Sequence, residues 1–143
     1  MDKICKTNGI SMRKGIDKSG TIYYYNDKGE YHREDGPAVE YADGEKCWYK
    51  NGERHREDGP AREFADGEKH WYKNGKLHRE NGPAREYADG DKYWYKNGLR
   101  HREDGPAIEY ADGNNRYWYN GFYYPKIKTD EEWIRFVKLI VFQ

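Results

Sequence analysis

An imidazole, a guanidinium and two carboxylates stand side by side at His32-Arg33-Glu34-Asp35, and such a set could do two kinds of chemistry. A histidine beside a carboxylate suits general acid-base catalysis, and histidine with aspartate and glutamate can ligate a divalent ion. The same text returns, however, at His55, His78 and His101, with Asn81 replacing the aspartate in the third copy. An active site needs one converging set of groups in a pocket, whereas a set copied along a chain is most simply part of how every copy folds. Equivalent histidines two strands apart would lie about 10 Å from one another, and metal–nitrogen bonds are about 2 Å, so these histidines cannot share one ion. His32, Asp35, His55, Asp58, His78, Asn81, His101 and Asp104 are therefore expected to be structural. In that role Asp-Gly-Pro forms a turn, the carboxylates accept backbone hydrogens, and His and Arg bridge to the neighbouring hairpin. No P-loop, nucleophile elbow, dinucleotide fingerprint or paired-cysteine metal spacing occurs, so no catalytic residue, cofactor site or metal ligand is assigned.

The positioning elements follow from the period. His-Arg-Glu-Asp-Gly-Pro-Ala begins at 32, 55, 78 and 101, in steps of 23 residues (55 − 32, 78 − 55, 101 − 78), with the one Asn81 exception. Each copy continues through a free position, Glu, an aromatic and Ala-Asp-Gly. A Trp-Tyr pair led by Trp48, Trp71, Trp94 or Trp118 follows, then an Asn-Gly. The chain reads as four tandem repeats, 32–54, 55–77, 78–100 and 101–123, between an N-terminal capping repeat, 1–31, and a C-terminal cap, 124–143. In the N-terminal cap, Ser19-Gly20 and Tyr23-Tyr24-Tyr25 echo the pattern, and Lys28-Gly29 replaces Asn-Gly with one extra residue before it. In the C-terminal cap, Thr129 with Glu132 fits a capping box, and Trp133, Phe136, Val137 and Ile140 fall on one helical face. Ile134, Phe136, Ile140 and Phe142 also share strand parity; the helix is the expected form.

Two turn signals per repeat flank short segments rich in Tyr, Trp and Val, which predicts a hairpin of two strands. The fold expected is all-β: an elongated single antiparallel sheet of stacked 23-residue β-hairpin repeats with a short C-terminal capping helix. A three-residue Ala-Asp-Gly connection would set Val39 opposite Cys47, Glu40 opposite Lys46 and Ala38 opposite Trp48. One face then carries recurring Ala, Trp, Glu and Lys. The other carries a cross-strand pair that differs in every copy: Val39 with Cys47, Arg62 with His70, Arg85 with Tyr93, and Ile108 with Arg116. A surface that varies in a constant frame can read a partner, and these eight residues are the expected contacts.

Lys+Arg and Asp+Glu balance at 26 each, so no long-range field gathers nucleic acid or anionic lipid. Rows of aromatics interleaved with Arg33, Arg56, Arg79 and Arg102 could stack bases, but a glutamate follows each arginine. Nucleic-acid and membrane-surface binding are accordingly disfavoured. With 15 Tyr and 5 Trp the chain is not of disordered type. Cys5 and Cys47 fall at unrelated points of the pattern, Cys47 is expected to be packed and inert, and no leader or membrane span is read, so an intracellular protein is expected.

The text Asp-Gly-Glu-Lys-x-Trp-Tyr-Lys-Asn-Gly-x-x-His resembles MORN repeats, over about residues 19–123. The His-Arg-Glu-Asp-Gly-Pro-Ala form looks like the MORN-like repeat proteins of giant DNA viruses of amoebae and of some phages. The resemblance implies stacked hairpins and, for a viral protein, the cytoplasm of an infected host cell. Here the Tyr-x-Gly-x-Trp core of a standard unit is shortened to x-Trp-Tyr and its His-Gly-x-Gly segment is lengthened, so the lipid binding of some MORN proteins carries over only weakly. The function expected is a non-enzymatic scaffold without cofactor that holds a protein partner. That partner could be a second copy, as a homodimer or head to tail, through an amino-terminal edge around Ile4 to Ile10 that nothing guards.

Overall fold

The computed structural model describes the backbone of residues 3–7 and 10–143 and the side chains from residue 11 onward. The Cys5 thiol and the Asn8-Gly9 part of the expected amino-terminal edge lie outside the described residues. The chain divides into two compact units, 1–76 and 77–143. Both are β in character, and the second carries one C-terminal helix.

The strands of the first unit are β1 (Lys3–Thr7), β2 (Ile10–Ile16), β3 (Ile22–Tyr25), β4 (Val39–Glu40), β5 (Lys46–Cys47), β6 (Tyr49–Lys50), β7 (Glu53–Arg54), β8 (Arg62–Glu63), β9 (Lys69–His70) and β10 (Tyr72–Lys73). The division falls within the next strand, β11 (Lys76–Leu77). The main ladder of this unit is antiparallel in the order β1-β2-β3-β4-β5-β8-β9, while β6 and β7 pair separately. In the second unit β12 (Arg85–Glu86), β13 (Lys92–Tyr93) and β16 (Ile108–Glu109) form the ladder. Beside it β14 (Tyr95–Lys96) pairs with β15 (Leu99–Arg100), and β17 (Trp118–Tyr119) with β18 (Phe122–Tyr123). A repeat is thus two hairpins of two-residue strands where one hairpin of two strands was expected, because the Asn-Gly signal closes a ladder of its own.

The two turns explain the two hairpins. Tyr41 N–H donates to Glu45 O at 2.8 Å and Gly44 N–H to Tyr41 O at 3.0 Å, with Gly44 at φ 97°, so Ala42-Asp43-Gly44 is a three-residue loop with left-handed glycine. That loop sets the register expected for it: Val39 opposite Cys47, Arg62 opposite His70, Arg85 opposite Tyr93 and Ile108 opposite Arg116. The second turn has positive φ at both central residues, 48° at Asn51 and 80° at Gly52, the form whose twist matches a two-residue hairpin. Between the hairpins the chain steps across at Trp48. Its N–H donates to Ala61 O of the following repeat at 2.8 Å, and its carbonyl accepts from His55 N–H at 3.2 Å. The N-terminal segment is built likewise, with Gly20 at φ 90° and His32 N–H on Tyr24 O, but its second turn is the three-residue Asp27-Lys28-Gly29 closed by Asn26 N–H on Glu30 O.

The last repeat corrects one assignment. Counting 23 residues from Trp94 reaches Tyr117, and Tyr124 N–H donates to Tyr117 O just as His101 N–H donates to Trp94 O. Tyr117 therefore stands in the tryptophan position, and Trp118, paired with Tyr123, stands where Tyr95, paired with Arg100, does. The C-terminal segment is helix α1 (Asp130–Val141), with Thr129 Oγ1 accepting from Glu132 N–H. Glu132 reaches back to Lys128 N–H at 2.9 Å, one residue earlier than a capping box requires. Trp133 and Val137 bury against Tyr117, with Tyr124 and Phe136 packed around them.

Candidate interaction surface

Every residue of the His-Arg-Glu-Asp-Gly-Pro-Ala text has a place in one framework. Arg56 donates from Nε to Asp58 at 3.0 Å and from Nη1 to Pro60 O at 3.1 Å and Glu63 at 2.9 Å, while its guanidinium lies 4.0 Å above the Trp48 ring. Arg33 repeats this with Asp35, Pro37 O, Glu40 and the Tyr24 ring, and Arg102 with Asp104, Pro106 O, Glu109 and the Trp94 ring. Arg79 bonds Pro83 O and Glu86, with Asn81 standing where the others have aspartate. The motif aspartates accept from arginine, not from the backbone hydrogens expected, because the guanidinium folds back over the turn. Ala38, Ala61, Ala84 and Ala107 are wholly buried beneath.

The histidines join successive second hairpins. Nδ1 of His32 and His55 accepts from the N–H of Asn51 and Asn74 at 3.0 Å in the first unit. In the second unit His78 and His101 accept from Asn97 and Asn120 at 3.0 and 3.1 Å. An accepting Nδ1 puts the imidazole hydrogen on Nε2, which in His55 and His78 donates to Glu57 and Glu80 at 2.7 Å. Two backbone bonds accompany each imidazole. Gly75 N–H donates to Arg54 O at 2.9 Å and Arg56 N–H to Tyr72 O at 3.4 Å, for instance.

The face expected to meet a partner turns inward. Val39, Cys47 and Ile108 are 1%, 0% and 1% exposed and His70 is 6% exposed; Arg62, Arg85 and Tyr93 are half-buried. The second hairpin folds beside this column. The Tyr72 ring lies 6.4 Å from His70, and in the second unit Arg85 lies over Tyr95 and Arg100 over Tyr93. Variation there is repacking of an interior: Arg62 pairs with Glu45 at 2.6 Å and His70 with Glu68. Burial, with Glu45 beside it, pushes the Cys47 thiol up to about 11 against the pull of Arg54, so it is packed and protonated. Of the eight expected contacts only Arg116 is exposed.

A different repeat position is both exposed and variable. The residues bounding the Asn-Gly turn pair across the second hairpin, Lys50 with Glu53, Lys96 with Leu99 and Tyr119 with Phe122; all of these are exposed except Tyr119, which is half-buried beside His101 and the cap core. Lys73 and Lys76 bound the same turn in the second repeat. The residue after the glycine, Glu53, Lys76, Leu99 or Phe122, differs in every copy and is exposed in all four. That signal was available at a constant offset from Asn-Gly and went unread because the turn was not given a hairpin of its own.

Between successive motif loops lie open grooves. One of about 660 Å³ in the first unit is floored by Trp48, Tyr49 and Lys50 and walled by the loops at 33–37 and 55–58. Its counterpart of about 590 Å³ in the second unit has Trp94, Tyr95 and Lys96 on the floor. The wall guanidiniums and imidazoles are those already engaged in the framework, so neither groove offers a set of free converging groups. Among the described residues no group of three or more His, Cys, Asp and Glu is placed to hold a metal ion, and no helix is long and apolar enough to cross a membrane. No family model matches the chain, and no curated protein matches it.

Proposed function

We propose that the chain is a non-enzymatic repeat scaffold that holds a protein partner on the outer face of its second hairpins. One observation carries the reading: the position after the Asn-Gly glycine, Glu53, Lys76, Leu99 or Phe122, is exposed in all four copies and different in each, whereas the motif arginines and histidines are bonded within the fold. An exposed side chain that differs in each copy of a constant backbone is free to specify a partner. The rival nucleic-acid reading rested on the rows of arginine, and those guanidiniums are held by Glu40, Glu63, Glu86 and Glu109. If the likeness to MORN-like viral proteins holds, the place of action is the cytoplasm of an infected cell.

The test is affinity capture from the native host with the wild type and with a variant bearing Glu at Lys73, Lys76 and Lys96. Glutamate already occupies the place of Lys76 at Glu53, and Lys73 and Lys96 are exposed, so the variant is expected to keep the fold. Loss of the captured protein supports the outer face, and an unchanged set rules it out. Capture abolished by nuclease or falling steeply with salt would instead favour nucleic acid.

A further inference from the structure

We propose that Asn81 is a modification site: in the folded chain it deamidates through attack by the Gly82 nitrogen, and the aspartate formed supplies the carboxylate that the other three motifs carry at this place.

An asparagine followed by glycine is the pair most open to this reaction, because a glycine nitrogen has no adjoining side chain to shield it. Among the described residues the pair occurs at Asn51-Gly52, Asn74-Gly75, Asn81-Gly82, Asn97-Gly98 and Asn120-Gly121. Four of the five are hairpin turns, and there the fold holds the reacting atoms. Gly52, Gly75, Gly98 and Gly121 donate N–H to the carbonyls of Tyr31, Arg54, Leu77 and Arg100 at 2.8–2.9 Å. The asparagine N–H groups are held by histidine Nδ1 atoms at 3.0–3.1 Å, with the asparagines fixed at φ 46–50°. Closing a ring on the glycine nitrogen at such a turn would break its ladder bond and twist the peptide plane out of the hairpin.

Asn81-Gly82 lies instead in the motif loop, outside both hairpins. Asn81 is exposed, neither residue has positive φ, and Gly82 N–H donates to no described residue. The Gly82 nitrogen gives up its proton and bonds to Asn81 Cγ, and the bond from Cγ to the amide nitrogen breaks, releasing ammonia. Water then adds to Cγ of the succinimide and opens it, restoring the 81–82 peptide with a side-chain carboxylate. One water is consumed and one ammonia leaves, with no change of oxidation state.

The product has a seat prepared for it. Arg33, Arg56 and Arg102 donate from Nε to Asp35, Asp58 and Asp104 at 2.9, 3.0 and 2.7 Å. The Arg79 guanidinium is folded over the third turn in the same way: a Cβ on Gly82 would meet its Cζ at 3.0 Å, as a Cβ on Gly59 would meet that of Arg56. A carboxylate at 81 therefore falls beside a guanidinium already in position, an arrangement that favours the charged pair. It also adds one negative charge to the wall of the groove between the loops at 79–82 and 101–104.

The experiment holds the folded full chain at mildly alkaline pH in water labelled with heavy oxygen, which enters only residues that react during the incubation. Digestion and electron-transfer fragmentation then locate the label and separate aspartate from isoaspartate. Residue 81 is expected to take label at least roughly tenfold faster than residues 51, 74, 97 and 120, because two hydrogen bonds must open first at each turn. In urea all five should react at similar rates. The variant Asn81→Asp, measured beside it, should unfold at a higher urea concentration than the wild type, and the gain should vanish in an Arg79→Gln background. Equal labelling of the five pairs in the folded chain, no label at 81, isoaspartate as the sole product, or an unmoved midpoint for Asn81→Asp would each overturn the proposal.

Discussion

Gly59→Ala probes why a glycine follows each motif aspartate or asparagine. Its backbone is outside the left-handed region, so the constraint is spatial: a Cβ would lie 3.0 Å from Arg56 Cζ, 3.1 Å from Nε and 3.3 Å from Nη1. Relieving that overlap moves the guanidinium by roughly half an ångström, since unstrained contacts begin near 3.5 Å. The move strains the Nη1 bonds to Pro60 O and Glu63. Hydrogen bonds to charged groups contribute about 1.5–3 kcal/mol when well buried. The side chains of Arg56 and Glu63 are 23% and 36% exposed, so about 1–2 kcal/mol is at stake after screening. Replacing glycine by alanine in a compatible conformation returns about 0.4–1 kcal/mol through the unfolded chain. The net expectation is a loss of about 1 kcal/mol.

The same substitution should change sign when the guanidinium is absent. In an Arg56→Ala background the three nearest atoms to that Cβ are gone, and Gly59→Ala should stabilise by about 0.5 kcal/mol. The cycle therefore has a coupling energy of about 1.5 kcal/mol, within the range seen for side chains in direct contact. Urea unfolding of the four chains, followed by Trp fluorescence and by amide exchange at Ala61, measures it. Equal destabilisation in both backgrounds would refute the reasoning, because the glycine would then answer to the backbone and not to Arg56.

His78→Leu removes the acceptor of Asn97 N–H and should cost about 1–3 kcal/mol, with faster exchange of the Asn97 amide as the local readout. Cys47 should resist a thiol reagent at neutral pH until the chain is unfolded; modification of the native protein at the rate of a free thiol would contradict its burial. Asp17 is held down at about 2, from 3.8, chiefly by the Ser19 hydroxyl and then by the Tyr23 hydroxyl. A carboxyl lowered in the folded state stabilises above its unfolded value, and that contribution is lost as pH falls from about 4 to about 2. Thermal melts of the wild type should therefore steepen in that window relative to Asp17→Asn, and parallel profiles would exclude the effect. Trp133→Ala should cost about 3–5 kcal/mol in the second unit, since it opens the cap core and leaves Arg102 O without its 3.1 Å donor.

The period, the loop type and the pairing Val39–Cys47 were legible because each rests on local text: identity at a constant interval, and the Ala-Asp-Gly loop whose geometry sets register. The C-terminal helix was legible from Thr129 and the spacing of Trp133 and Val137. Which side of the ladder faces inward was not. Arg62 and His70 are polar and sit in alternating strands, so nothing local marks them as interior; what buries them is the second hairpin folding beside them, a tertiary fact. That hairpin escaped notice because two-residue strands such as Tyr49–Lys50 are too short to show alternation. Trp118 was misassigned because residue identity was followed where spacing pointed to Tyr117.

Scarcity of aliphatic residues accounts for the rest of the motif. A repeat of this size has no room for a layered core, so its largest apolar surface, the Trp48 or Trp94 ring, is covered by the arginine that follows in sequence, at 4.0 Å in both cases. A guanidinium drawn over a ring loses water and must be paired, which calls for the Pro carbonyl and for Glu63 or Glu109 on the adjoining strand. Arginine, glycine, proline and glutamate are thus successive consequences of covering one tryptophan. Where the series ends, Trp133 takes the place of a fifth arginine, 5.4 Å from Tyr117 and donating to Arg102 O. A neutral indole needs no carboxylate, and Pro125 can then occupy the arginine position and close the column to another repeat.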